Sequence, residues 1–423
     1  MEISLKKIGP YLAGGFAAQA AAAIAGMLLV RWMSVGEYAI YTVGVTIVGG
    51  ISLLTRGGVQ MGLAAALAKV WPDREGAAEA VSAAFKIRML VSCITMPPIL
   101  ALSWFLFERA DAEAGIRFII LGVLAVYWLA DTRSSVIDQV LFFDGRAIKV
   151  QALDTAIAAF RVILVVVLQL MNRVSATYAM ITNLFAAIAR VPFIQHWVRQ
   201  SLGRIKVAAP EPTTRAIRSI ALRQMPVDIF TVLQAQVAIF YLTRHGGGIE
   251  LATFGALARI AQLLTPFASL SLAFFVPAFA SIHERVGATV LKYAAFSAIP
   301  GLVLVAWAWL APATILFFFG PAYRDQSGAL LVFAIAVTFT STVQVAWSLV
   351  SHRGWNRWGW LRIMLGLVWI AIAPLLVRVE TAAGSYIFNC GFSAVNVMAL
   401  VLELLTSQAA GEIRLGRSAA RED

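Results

Sequence analysis

Residues 292–319 read KYAAFSAIPGLVLVAWAWLAPATILFFF, and Lys292 is the one charge in the stretch. A run this long and apolar matches the roughly 20 residues that a helix needs to cross the hydrocarbon core of a bilayer. Such runs recur along the whole chain. Working outward from 292–319, spans are expected near 9–33, 39–68, 87–107, 115–143, 153–171, 177–198, 222–243, 251–280, 327–350, 361–377 and 382–405, twelve in all. The span at 115–143 is long and carries charges, which leaves a tilt or a break open. The composition agrees, with 60% hydrophobic residues, 13% charged residues and a mean hydropathy of +0.81. Too few polar groups remain to coat a soluble protein.

The 34 lysines and arginines alternate between the two sides of these spans. If the N-terminus is inside, 22 fall on inner segments, 7 on outer segments and 5 within spans. Basic residues accumulate on the cytoplasmic side, so both termini are expected in the cytoplasm of a multi-pass protein of the cytoplasmic (inner) membrane. The net charge of +12 is then met by inner loops against anionic lipid. No nucleic-acid partner is expected. Cys93 and Cys390 lie inside apolar runs, and His196, His245, His283 and His352 never recur at ligand spacing. No metal and no cofactor is therefore expected.

A loop at 199–221 carries Pro210 and Pro212 and splits the chain near its middle. The expected organisation is an N-terminal six-helix lobe at 1–198, a cytoplasmic linker at 199–221, a C-terminal six-helix lobe at 222–405 and a cytoplasmic tail at 406–423. Six spans per half makes the halves parallel repeats. Arg31, Glu37 and Tyr41 recur as Arg244, Glu250 and Phe254, each shifted by 213 residues.

The stretch Met33-Ser34-Val35-Gly36-Glu37-Tyr38-Ala39-Ile40-Tyr41 leads into a second span rich in small residues, with Gly57-Gly58 and Ala64-Ala65-Ala66. It resembles the N-terminal region of polysaccharide-transporter (Wzx-type) flippases of the multidrug, oligosaccharidyl-lipid and polysaccharide exporter superfamily. Phe254-Gly255-Ala256-Leu257-Ala258-Arg259-Ile260, followed by Pro277, is similar to the same place in the second lobe of that family. The resemblance covers nearly the whole chain, although its motifs are mostly packing residues. It implies an all-α integral-membrane fold of about twelve helices, in two lobes around a central cavity lined by spans 1, 2, 7 and 8. It also implies a substrate of a short glycan on polyprenyl pyrophosphate, moved across the cytoplasmic membrane for surface polysaccharide or lipopolysaccharide synthesis. Polysaccharide polymerase or glycosyltransferases are then expected neighbours. The alternative within the same superfamily is a multidrug or small-molecule antiporter coupled to a cation.

Nine charges fall within spans: Arg56, Arg133, Arg161, Arg190, Arg259, Asp131, Asp138, Asp154 and Asp228. Each costs about 2.5–3.5 kcal/mol at a helix centre when it faces lipid. They must face one another or a watery space. Arg56 and Arg259 sit on spans 2 and 8 and are expected in the substrate cavity, with Gln19 of span 1 and Gln234 of span 7. Gln224, Asp228, Thr231 and Gln234 fall on one side of span 7, beside Pro226. Asp228 is the leading candidate to couple a proton or sodium ion to transport. Asp131 and Asp138, seven residues apart, are further coupling candidates. Their simplest reading is ion pairing with span 5, where Asp154 and Arg161 are also seven apart. A cavity role for Arg133 or Arg161 stays open beside it. Arg190 is read as interfacial, and Ser385, Asn389 and Asn396 as helix packing. Guanidinium groups suit pyrophosphate oxygens. The short outer loops hold no clustered carboxylates, and no phosphate-binding GxxxxGK[ST] loop occurs, which argues against an enzyme.

Overall fold

A computed structural model describes residues 5–203, 210–280, 286–352 and 358–419. Part of the expected linker (204–209), His283 and the end of the tail (420–423) lie outside the described residues. Side chains are described over a narrower set, which omits 5–12, 268–278, 280, 352 and 407–419.

The described backbone is helical: α1 (Leu5–Trp32), α2 (Val35–Val70), α3 (Arg74–Arg109), α4 (Ala114–Ser135), α5 (Asp138–Phe143), α6 (Ala147–Leu170), α7 (Ala176–Leu202), α8 (Glu211–Tyr241), α9 (Gly247–Ala280), α10 (Val286–Leu310), α11 (Pro312–Leu316), α12 (Ser327–His352), α13 (Gly359–Leu376) and α14 (Ala382–Ala419). Eleven segments among the described residues are long and apolar enough to cross a membrane. One of them, Glu211–Phe267, has 57 residues. At 1.5 Å per residue it would be almost three times a bilayer core in length. It folds back instead. A π-helical turn at Leu242–Gly246 ends α8, and Gly247 takes φ +74°, a conformation only glycine adopts freely. The chain therefore crosses twice here, as spans 7 and 8 require. The helix of the seventh span, α8, begins at Glu211, eleven residues before the expected 222. The span at 115–143 is broken, because α4 stops at Ser135 and α5 restarts at Asp138.

Contacts divide the chain into two compact units, Met1–Arg259 and Ile260–Asp423. By this measure the α8 helix belongs with the first unit. In that unit α2 is central, packing on α3, α4, α7 and α8. Its pairing with α8 is glycine-lined. Gly50 faces Val232, Gly57 faces Asp228, Gly58 faces Ala221 and Gly62 faces Ile217, so the two helices run antiparallel. A Cβ on Gly58 would lie 2.9 Å from the Ala221 Cα, so only a bare backbone fits. An apolar core of Leu63, Leu67, Ala80, Ala84 and Val140 closes the ends of α2, α3 and α5.

Caps fix where the helices start. Ser34 accepts the Glu37 N–H at 3.3 Å, and Asp73 accepts the N–H groups of Glu75 and Gly76 at 3.1 Å each. The spacing Ser34-x-x-Glu37 is that of a capping box. Glu37 instead sends its carboxylate to the Ala176 N–H at 2.5 Å, at the head of α7.

The second unit packs α12 against α10 and α14, and α14 against α13. Its core includes Phe279, Val290, Val345, Leu349 and Ala399. Of the residues expected to pack on the last span, Asn396 meets a neighbouring helix and Ser385 bonds just ahead of its own. Ser385 donates to the Val379 carbonyl at 2.7 Å, and Asn396 accepts from Arg362 Nε at 2.7 Å.

Candidate functional site

Five helices of the first unit, α1, α2, α4, α6 and α7, enclose a cavity of about 370 Å³. Its walls carry Arg56 from α2, Tyr127, Asp131 and Ser134 from α4, Asp154 and Arg161 from α6, and Asn183 and Arg190 from α7. Helical spacing sets these positions. Asp154, Ile157, Ala158 and Arg161 repeat at three, one and three residues, and Asn183, Ala186, Ala187 and Arg190 do the same, so each set is one face of a helix. Small residues at 158, 186 and 187 leave the room that the charged side chains occupy.

Two ion clusters organise the wall. In the first, Asp131 holds two guanidiniums. Arg56 Nη2 reaches Oδ1 at 3.2 Å and Arg88 Nη2 reaches Oδ2 at 2.7 Å. Arg88 is 0% exposed, and also donates to the Ser135 hydroxyl at 2.5 Å and to Thr55 at 3.3 Å. In the second, Arg190 bridges two carboxylates, with Nη2 to Asp138 at 3.1 Å and Nε to Asp154 at 2.8 Å. Arg161 stands apart from both carboxylate clusters and donates to the Tyr41 hydroxyl at 2.6 Å. Each carboxylate is thus matched to a guanidinium, and Arg161 is left as the surplus cation. The Nε atoms of Arg56 and Arg161 are buried without a hydrogen-bond partner among the described residues. Of the arginines in these two clusters Arg56 is the most open, with 39% of its side chain exposed. The cavity therefore presents donors and net positive charge, an arrangement suited to an anion.

The expected site residues divide. Arg56, Arg161 and Asp131 line this cavity, and Asp138 joins it through Arg190. Arg133 is exposed and is not among the residues that line this cavity. It stands two residues after Asp131, and a turn of 200° along a helix puts it on the opposite face. Gln19 and Gln234 are half-buried and outside this wall. Arg259 is 5% exposed and lies outside it too. Its stem covers Gly26, its Nε donates to Tyr38 at 3.2 Å, and its guanidinium sits 5.4 Å from the Tyr41 ring centre. Tyr41 thus has Arg161 on its hydroxyl and Arg259 against its ring.

Asp228 is 6% exposed and packs into the α2–α8 glycine face. Its Oδ2 accepts the Gly58 N–H at 3.1 Å, and its Oδ1 accepts from Gln224 at 3.0 Å. Asp228 is the one coupling candidate of the three without an arginine contact in the described structure. Thr231 turns outward and donates to the carbonyl of Val227, so the polar line on span 7 is not one continuous wall.

The sequence pattern places Arg88 among the 22 inner-segment basic residues and Arg190 at the interface, whereas the structure draws both into ion clusters. The signal lay in charge pairing: three aspartates within the first six spans need cations at their depth. Asp131 and Asp138 were expected to share a helix face. The break at Val136–Ile137 separates them, and each takes a different arginine.

The sequence matches no protein-family model, and no curated protein matches it. Solved structures do share its fold. A lipid II flippase, MurJ, in an inward closed conformation superposes with a TM-score of 0.71 at 10% identity, covering 98% of this chain and 93% of that one. A multidrug resistance MATE family transporter of the MOP superfamily, in an inward-facing conformation, gives 0.65 at 14% identity, covering 94% and 95%. The outward-facing conformation of such a transporter gives 0.62 at 14% identity, covering 95% and 94%. The fold class is therefore the all-α integral-membrane architecture that MurJ and the MATE transporters adopt, with multiple membrane-crossing helices.

Proposed function

We propose that this protein is an exporter that turns a polyprenyl-pyrophosphate-linked oligosaccharide from the inner to the outer leaflet of the cytoplasmic membrane. In this reading, lobes at 1–198 and 222–405 rock about the linker at 199–221, and both termini are cytoplasmic. The observation that carries the reading is the arginine-rich cavity of the first unit. Arg56, Arg161 and Arg190 outnumber Asp131 and Asp154 on its wall. Such a surface attracts a pyrophosphate and repels a cationic drug. Asp228 is the coupling carboxylate, because protonation there meets no fixed guanidinium and acts directly on the α2–α8 contact. Surface polysaccharide assembly would place glycosyltransferases or a polymerase nearby.

The second reading, a cation-coupled antiporter of small molecules, is favoured by the MATE likeness, which spans 94% of the chain. A deletion strain separates the two. The flippase reading expects bare cell surfaces, with the lipid-linked unit trapped on the inner leaflet. Normal surface glycan together with raised retention of small toxic cations would reject it.

A further inference from the structure

A second hollow lies on the first unit, away from the arginine cavity. It is a narrow groove between α3 and α8, floored by α2, and it encloses about 110 Å³. Leu54, Gly58 and Val59 of α2 make the floor, and Gly58 packs bare against the Ala221 backbone there. Leu90 and Ile94 of α3 form one rim and Leu222 of α8 the other, each more than half exposed. On α8 the groove follows Arg218, Leu222 and Met225, spaced four and three, the face of a single helix.

The two ends differ in charge. Arg218 stands at one end, exposed, with no ion pair among the described residues. It is about two turns inside the start of α8 at Glu211. Asp228 closes the other end, ten residues on, about 15 Å along the helix. Its carboxylate is already satisfied by Gly58 and Gln224, so it makes no demand on a ligand's head group.

We infer that this groove holds the hydrocarbon chain of a single-tailed lipid phosphate, with the phosphate on Arg218 and the chain running toward Asp228. A hollow of about 110 Å³ is too small for two acyl chains side by side. The cation is part of the groove wall, one turn from Leu222, so it suits a phosphate joined directly to the chain. A glycerophospholipid places glycerol and ester atoms between the two. The occupant is accordingly the polyprenyl carrier, held in a docked state separate from the one in which its pyrophosphate meets the arginine cavity, and on that point alone the inference rests on the flippase reading. The consequence is physical: a loaded tail lies against the same α2–α8 contact that Asp228 holds.

Native mass spectrometry of the purified full-length protein in detergent tests this, with a long-chain polyprenyl phosphate, the matching polyprenol and phosphatidylglycerol as probes. The polyprenyl phosphate should be retained about tenfold better than the polyprenol, as for one charge-assisted contact. Leu222→Trp and Arg218→Gln should each lower its retention about tenfold. Arg215→Gln, which removes an exposed partner of Glu211, should leave it unchanged. Leu222 is exposed, so a tryptophan there does not disturb the core, and Leu90→Trp blocks the opposite rim as a second variant. Retention that survives both tryptophans overturns the inference. So does equal retention of phosphatidylglycerol that the same variants abolish, which would make the groove a site for bulk lipid. Either failure leaves the leaflet assay of the deletion strain untouched, so loss of the groove and loss of the flippase reading are separate results.

Discussion

Arg88 Nη2 lies 2.7 Å from Asp131 Oδ2 in a pocket that leaves Arg88 without exposed surface. Asp131 turns its other oxygen to Arg56 at the cavity wall. The buried pair therefore sets how Asp131 presents itself to the cavity. Removing one partner of a buried pair strands the other, which typically costs about 3–5 kcal/mol. Arg88→Met should lower the unfolding temperature of the purified protein sharply. The double variant Arg88→Met/Asp131→Leu strands no buried charge, and Arg56 is open enough to stay hydrated. It should recover much of the loss. A double variant no more stable than the single one would show that charge burial is not the cause.

Arg56 and Arg161 supply donors to the cavity, whereas Arg133 points away from it. Arg56→Ala and Arg161→Ala should each reduce outward movement of the lipid-linked glycan without lowering protein level. Arg133→Ala should behave as the unaltered protein. Quantifying the glycan on each leaflet reads the difference, and equal effects from all three would dissociate the cavity from transport.

Asp228→Asn keeps an acceptor for the Gly58 N–H and removes the charge. Its stability should stay within about 1 kcal/mol of the parent, the scale of one neutral hydrogen bond. Transport driven by an ion gradient should be lost. Export at the normal rate in this variant would remove Asp228 from the coupling role.

A Cβ at Gly57 would collide with the Asp228 carboxylate. Gly57→Ala should cost about 1–3 kcal/mol, as overpacking does. Gly122, on α4, has open space around it. Gly122→Ala should be neutral or gain up to about 1 kcal/mol from helix propensity. Thermal unfolding of both in the same detergent checks the contrast.

Span number and fold class were legible in the sequence, because apolar runs obey the thickness of the bilayer rather than any tertiary detail. The helical hairpin at Gly247 was legible too, as two runs separated by Arg244 and three glycines. The cluster around Asp131 was legible only in part. Charges inside spans signalled that partners exist, but pairing depends on rotation and depth. A third span expected to start at 87 leaves Arg88 at its very edge, whereas the α3 helix extends from Arg74 and carries Arg88 into the interior. The arginine cavity was unreadable as a location: it arises from five helix faces whose small residues resemble ordinary packing. The groove beside α8 was hidden for a similar reason, because leucines on a membrane helix look alike whether they meet lipid or line a slot.

Glu37 caps α7 from α2, and Gly44 lies against Met180 further along, so the two helices run side by side from a pinned end. The arginine cavity lies beyond that point, between Arg56 on one helix and Arg190 on the other. From Ala176 to Arg190 is fourteen residues, about 21 Å of lever arm. Any widening between these helices is then angular, like tongs joined at one tip. A swing of about 5° about the Glu37 contact moves Arg190 by about 2 Å over that arm. That displacement is enough to change the gap between Arg56 and Arg190 across the cavity while the cap stays closed.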